Sequence, residues 1–120
     1  MYDIRYAQQT LTLRGLQDIM KKGKCMKVDV KFLEVEGARE IFGSLRFAFD
    51  LQGSTVGDLI DEMMKRYGSK SQSVFLKGGR YQGNLQIIVN WKKYVLPEKM
   101  NEFVLTEGDM IIFAPLLDGG

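Results

Sequence analysis

The sequence predicts an α+β domain with one main helix packed on a mixed sheet of four to five strands. Three observations carry this. Residues 26–32 and 45–51 alternate apolar and polar side chains, residues 55–67 carry an apolar stripe at helical spacing, and residues 110–115 contain no charged or amide side chain.

The first strand is "MKVDVKF". Alternation puts Met26, Val28, Val30 and Phe32 on one face and Lys27, Asp29 and Lys31 on the other, the pattern of a half-buried strand. "GAREIFGS" reads as a turn region with two glycines. "SLRFAFDL" then alternates again, with Leu45, Phe47, Phe49 and Leu51 facing one way, so 27–51 reads as a hairpin.

The helix is "STVGDLIDEMMKRYGS". Val56, Leu59, Ile60, Met63, Met64 and Tyr67 share one stripe, which marks the two methionines as core rather than ligands. Thr55 is placed to cap the N-terminus, with Asp58 as the carboxylate of a capping box. Lys65 and Arg66 suit the negative end of the helix dipole, and Gly68 supplies the stop.

Residues 68–84 are polar and glycine-rich and read as loop, with a short strand around Val74–Leu76. "LKGGRYQG" sets glycines beside Lys77 and Arg80, but it lacks P-loop spacing and leads into no helix, so it reads as loop rather than a phosphate cradle. "LQIIVN" is a strand with Leu85, Ile87 and Val89 inward, and "KKYVLPE" a short edge element ending at Pro97. Trp91 between them reads as a partly buried edge aromatic.

The chain turns at Glu107–Gly108–Asp109 and enters a last strand, Met110–Pro115. A strand apolar at successive positions is covered on both faces, hence central, and beside the first strand it would run parallel to it. Ile111 and Phe113 take one face; Met110, Ile112 and Ala114 take the other. With the helix on the first face, Ile88, Met110 and Ile112 form an apolar patch on the second. That patch is either a docking surface beside the tail or ground covered by a loop or the N-terminal segment.

Residues 1–25 read as an extension to the domain at 26–120. "LRGLQDIMKKG" is either a short helix with Leu13, Leu16, Ile19 and Met20 on one face, or part of a segment upstream of a natural start at Met26.

Composition excludes much chemistry. The chain has no histidine, so no histidine triad, acid–base pair or metal ligand can be built from it. Its one cysteine, Cys25, forms no internal disulfide and no multi-cysteine metal site, and reads as an incidental thiol rather than a persulfide acceptor. With 17 basic and 15 acidic residues and no basic stripe, nucleic acid is not an expected partner. No run is apolar enough to span a membrane and no signal h-region is present, so a cytoplasmic protein is expected.

Taken in order, the strand hairpin, the "TVGDLIDEMMKRY" helix, "IIVN", "LTEGDMIIFAP" and the closing "GG" resemble the β-grasp sulfur carriers. That group comprises the small subunit of molybdopterin synthase, the thiamine sulfur carrier, the ubiquitin-related modifier and the small archaeal modifiers. The resemblance covers roughly 26–120 and implies a ubiquitin-like β-grasp fold. Where the synthase subunit commonly carries bulky aromatics and Pro-Pro, this chain reads "FAPLLDGG", with Ala114 and Leu116 as the departures.

The resemblance implies a non-catalytic carrier that binds no cofactor. A partner adenylyltransferase of the ubiquitin-activating type would spend ATP to make an acyl-adenylate at Gly120. A persulfide donor would supply sulfur, and a synthase partner such as the large subunit of molybdopterin synthase would accept it. Attack by an amine instead would leave an amide, the chemistry of a modifier joined to lysines. A protein- or RNA-interaction module with an inert tail is the third reading.

Glycine suits the first two: Gly119–Gly120 has no Cβ to hinder attack or to block a narrow channel. Leu116 and Leu117 are placed to offset the ordering entropy by burial, about 1.5–3 kcal/mol for each fully buried leucine. The expected site is therefore Gly119 and Gly120 as the reacting end, with Ile88, Met110, Ile112, Ala114, Pro115, Leu116 and Leu117 contacting partners.

Overall fold

The computed structural model describes residues 25–116. The readings made on residues 1–24 and on Leu117, Asp118, Gly119 and Gly120 lie outside them.

Five strands form one sheet: β1 (Met26–Phe32), β2 (Arg46–Leu51), β5 (Leu85–Val89), β6 (Lys93–Tyr94) and β7 (Met110–Pro115), in the order β2-β1-β7-β5-β6. β7 lies parallel to β1, with Val30 opposite Ile111 and Phe32 opposite Phe113. Every other pairing in the sheet is antiparallel. The apolar character of β7 follows from this central place: Ile111, Ile112 and Phe113 expose nothing to solvent.

On one face the alternation works as the sequence implies. Val28, Val30 and Phe32 of β1, Phe49 and Leu51 of β2, and Leu85, Ile87 and Val89 of β5 all belong to the core. The main helix, α2 (Val56–Tyr67), covers that face with Val56, Leu59, Ile60 and Met63, while Met64 and Tyr67 are half-buried at its border. Its start is fixed by a capping box: the Asp58 N–H donates to Thr55 Oγ1 at 3.0 Å, and the Thr55 N–H donates to Asp58 Oδ2 at 3.1 Å. The Asp58 carboxyl is held below its usual range, chiefly by the backbone N–H groups of Ser54 and Thr55.

Two segments depart from the sequence expectation. The turn region before β2 contains a short helix, α1 (Ala38–Phe42), which buries Ala38 and Phe42. The segment after Gly68 begins with another, α3 (Ser69–Phe75), rather than loop. Gly68, at φ 81°, ends α2 and redirects the chain into α3. There Ser71 is fully buried, and its hydroxyl donates to the Gly68 carbonyl. Phe75 then enters an aromatic cluster, its ring centroid 5.1 Å from that of Phe113 and 6.2 Å from that of Phe32, which itself stacks on Phe42 at 4.7 Å. Packing in this cluster, absent from any local pattern, supports the helix in a segment that carries only two apolar residues, Val74 and Phe75.

The remaining "LKGGRYQG" segment is a two-stranded hairpin, β3 (Leu76–Lys77) and β4 (Arg80–Tyr81), turning at Gly78–Gly79. A one-turn 3-10 helix, Pro97–Lys99, follows β6 and leads to the segment on which α2 starts. The Val56 N–H donates to the Phe103 carbonyl at 3.1 Å and the Gly57 N–H to that of Met100 at 2.9 Å.

Candidate functional site at the exit of the last strand

The end of β7 is held on one side by β5. Ala114 pairs with Gln86 and Pro115 with Leu85, and Gln86 Nε2 donates to the Pro115 carbonyl at 3.2 Å. One residue on, the Leu116 N–H donates to the Asn84 carbonyl at 2.7 Å while its side chain stays 57% exposed. The last described residue is thus a leucine that is fixed by its main chain and available by its side chain.

Three clefts surround this exit. One of about 190 Å³ is lined by Leu33, Glu34, Gln86, Ala114 and Pro115. The small Ala114 side chain leaves room there that an aromatic residue would fill. A second, about 350 Å³, lies between Pro115 and the Glu34–Glu36 loop and also touches Ile41, Val74 and Asn84. The third, about 280 Å³, runs from Leu116 past Gln86 to Tyr94, Leu96 and Pro97. Tyr94 and Leu96 are exposed, and they give this cleft a largely apolar lining beside the exit.

The residues expected to contact partners are therefore spread over three places. Ala114, Pro115 and Leu116 are together at the exit. Ile88 and Ile112 face away from the helix, side by side across β5 and β7, but Ile112 is fully buried and Ile88 nearly so, which leaves them little surface to offer. Met110 is half-buried at the opposite end of β7, about 17 Å along the strand from Pro115. Leu33, Glu34, Tyr94 and Leu96 line the exit clefts without having been expected there. Their sequence signal was weak: two apolar positions in the short edge segment around Lys93–Tyr94, and a Leu-Glu pair just after β1, where the structure puts Glu34 at φ 52°.

At the far end of β5 the chain reverses through Asn90–Trp91. Asn90 Nδ2 donates to Asp109 Oδ1 at 3.0 Å, and the Met110 N–H donates to Asn90 Oδ1 at 2.9 Å, so this turn is tied to the start of β7. Trp91 is 56% exposed and its ring lies over the Lys31 ammonium, 5.6 Å from Nζ to centroid. It is more exposed than the partly buried edge aromatic expected from sequence.

Among the described residues no cluster of three or more cysteine, aspartate or glutamate side chains is arranged to hold a metal ion. Cys25 is a half-buried free thiol just before β1.

No protein-family model matches the chain, and neither does any curated protein. Solved structures do. The small archaeal modifier protein 1 from Methanosarcina acetivorans is 23% identical with a TM-score of 0.60, and the match covers 82% of this chain and all of that one. A Pyrococcus furiosus protein described as subunit 1 of a molybdopterin converting factor is 27% identical over 77% of this chain and 99% of that one, with a TM-score of 0.55. A chain of the Amycolatopsis orientalis BexX/CysO complex is 21% identical over 78% and 99%, with a TM-score of 0.58. The fold is ubiquitin-like β-grasp, and the solved structures that the chain resembles are small β-grasp carriers and modifiers.

Proposed function

We propose that this protein is a sulfur carrier whose reacting group is the carboxylate of Gly120, serving the synthesis of molybdopterin or of a related cofactor or a modified tRNA. The observation that carries the proposal is the exit of β7. The central strand is clamped through Leu116 N–H, and four residues, Leu117 to Gly120, remain beyond it. Four residues span at most about 14 Å, enough to pass the acyl carbon into a partner while the folded body stays outside. Similarity to the Pyrococcus furiosus and Amycolatopsis orientalis proteins supports the same reading.

The chemistry follows from the carboxylate. As an anion it resists nucleophiles. Transfer of AMP from ATP, with release of pyrophosphate, makes a mixed anhydride with a good leaving group. The terminal sulfur of a persulfide then attacks the acyl carbon and AMP departs. Reduction of the resulting S–S bond by a thiol leaves a thiocarboxylate at Gly120. These steps belong to an adenylyltransferase of the ubiquitin-activating type and a persulfide donor; this chain supplies an unhindered acyl group and the surface that presents it. Leu116, Tyr94 and Leu96 provide apolar contact beside the tail, and the carrier itself is not a catalyst.

A second reading, conjugation of Gly120 to lysine amines, is favoured by the similarity to a small archaeal modifier protein. Both share the acyl-adenylate and differ in the nucleophile.

Intact mass measurement separates them. The protein with Gly120 as its free terminus is incubated with the activating enzyme of its own organism, ATP and a persulfide donor. Exchange of one oxygen for sulfur is the expected result. An unchanged mass alongside diglycine remnants on lysines of other proteins would replace the carrier reading with the modifier reading.

A further inference from the structure

Two buried hydrophobic side chains among the described residues stand outside the core. Ile112 exposes nothing to solvent and Ile88 only 9%, yet neither joins the cluster between α2 and the sheet, which takes in every other buried apolar residue described. The two lie opposite each other across β7 and β5, on the face turned away from α2.

Their neighbours in the sheet do not account for this. On the same face Lys31 flanks Ile112 from β1, and Met110 and Ala114 lie two residues to either side of it along β7. All three are only half-buried, and Lys31 directs its ammonium to the Trp91 ring. Side chains within one layer shield a residue's flanks; its top meets water until another layer is laid over it. No described element supplies that layer. The buried apolar residues of α1, α2 and α3 all belong to the cluster on the α2 side, as do Val95 and Leu105.

The covered ground has the width of one helix. It follows the three inner strands β1, β7 and β5, which at the usual spacing span about 10 Å, and a helix with its side chains is about as wide. Outside that strip, Ala48 of β2 and Tyr94 of β6 lie on the same face and are exposed.

The chain that precedes β1 has the pattern and the reach to be the cover. It enters the sheet at β1, beside β7, and its sequence carries the apolar stripe Leu13, Leu16, Ile19 and Met20, with Arg14, Asp18 and Lys21 opposite. From Lys22 to Met26 the backbone spans at most about 14 Å, enough to step from the sheet to a layer above it. Residues 13–22 make a helix about 15 Å long, and the run from Met26 to Lys31, level with Ile112, is about 17 Å. A helix turned back from the start of β1 therefore ends over Ile112 and Ile88.

We propose that residues 13–22 form an amphipathic helix laid on the sheet face opposite α2, its apolar stripe covering Ile112 and Ile88. Docking supplies the stabilisation that so short a helix lacks alone. The cover leaves the tail exit free, since Tyr94 and Leu116 are 70% and 57% exposed. A partner that takes the tail thus meets the exit clefts and not the middle of the sheet. This arrangement is independent of the chemistry at Gly120.

The test is methyl nuclear Overhauser contacts in the full chain, with the isoleucine, leucine and methionine methyl groups labelled. Contacts are expected from the Ile112 and Ile88 Cδ1 methyls to methyls of Leu13, Leu16, Ile19 or Met20. Leu16→Asp should abolish them and shift both isoleucine signals, while that of Ile60, in the core on the α2 side, stays in place. Leu16→Met should retain the contacts.

Wild type without such contacts would overturn the inference. Contacts found only between differently labelled chains in a mixed sample, with a doubled mass by light scattering, would overturn it in favour of a second copy as the cover. Broadening of the Ile88 and Ile112 methyl signals by a soluble paramagnetic probe would show an open face, available to another protein, and would overturn it too.

Discussion

Asn90 Nδ2 donates to Asp109 Oδ1 at 3.0 Å across 19 residues of sequence, and Asp109 Oδ2 accepts from the Thr106 N–H at 2.9 Å. One carboxylate thereby joins the turn after β5 to the turn before β7, the two loops that set how the central strand enters the sheet.

That carboxylate gives the first prediction. Burial acts to raise the Asp109 carboxyl, but the hydrogen bonds from Asn90 and Thr106 outweigh it, and Asp109 is held below its usual range. Asp58, bonded by the N–H groups of Ser54 and Thr55, is lowered too. A carboxyl with a depressed folded pKa contributes stability that is fully present above its unfolded value, about 4, and is lost as pH falls through the folded value. The melting temperature should therefore be nearly flat from pH 7 to 5 and drop below pH 4. Asp58→Asn/Asp109→Asn should start lower at pH 7 and lose less between pH 4 and 2.5. Parallel curves for the two proteins would show that other carboxylates dominate.

A second prediction concerns the docking of α2. A Cβ built on Gly57 would fall 1.8 Å from Asn101 Oδ1 and 2.9 Å from Asn101 Cγ, so the absence of a side chain lets the 3-10 segment approach the helix start. Alanine in a helix is favoured over glycine by about 1 kcal/mol, and the clash opposes that gain. Gly57→Ala should thus be stabilising in an Asn101→Ala background and not in the native one. Denaturant unfolding of the four proteins in the cycle should give a coupling of about 0.5–3 kcal/mol.

The capping box gives a third. Thr55→Ala removes the acceptor for the Asp58 N–H and should cost about 1 kcal/mol, whereas Thr55→Ser should retain most of it. Equal losses in the two variants by urea titration would assign the effect to the threonine methyl group instead.

The strands and α2 were legible because their cause is local. Alternation in "MKVDVKF" and "RFAFDL", the stripe from Val56 to Tyr67, and the run "MIIF" each record which side of one element is covered. The α3 helix was not legible, since "SKSQSVF" holds only two apolar residues, both at its end, and the buried Ser71 reads as surface. Its helicity is set by where Phe75 must go. At the site, Leu116 beside a central strand could be placed from sequence. The exposure of Tyr94 and Leu96 could not, because it depends on β6 being an edge strand two residues long.

The unpredicted helix yields a fourth test. Phe75 is fully buried against Phe32, Phe42 and Phe113. Phe75→Ala should cost about 3–5 kcal/mol, comparable to truncating a strand residue of the core. A loss under 1 kcal/mol would mean that the 69–75 segment reads as loop in solution, as its composition alone implies.

The last prediction separates the folded body from its working end. Among the described residues the last backbone hydrogen bond of the exit is made by the Leu116 N–H, and the core residue before it is Phe113. Deleting Gly120 removes neither. The deletion should leave the melting temperature within about 1 °C of wild type, since it takes away none of the described core residues or hydrogen bonds, and changes that spare such features fall within about 0.5 kcal/mol. It should nevertheless abolish adenylation and mass exchange, because the new terminal carboxylate stops about 3.5 Å short of the position the reaction requires. Leu116→Asp should separate binding from chemistry: the side chain is exposed, so stability is again nearly unchanged, while KM for the activating enzyme rises and kcat holds. A variant lacking Gly120 that is still adenylated at the wild-type rate would show that the tail is not read by length, and would move the reacting position away from Gly120.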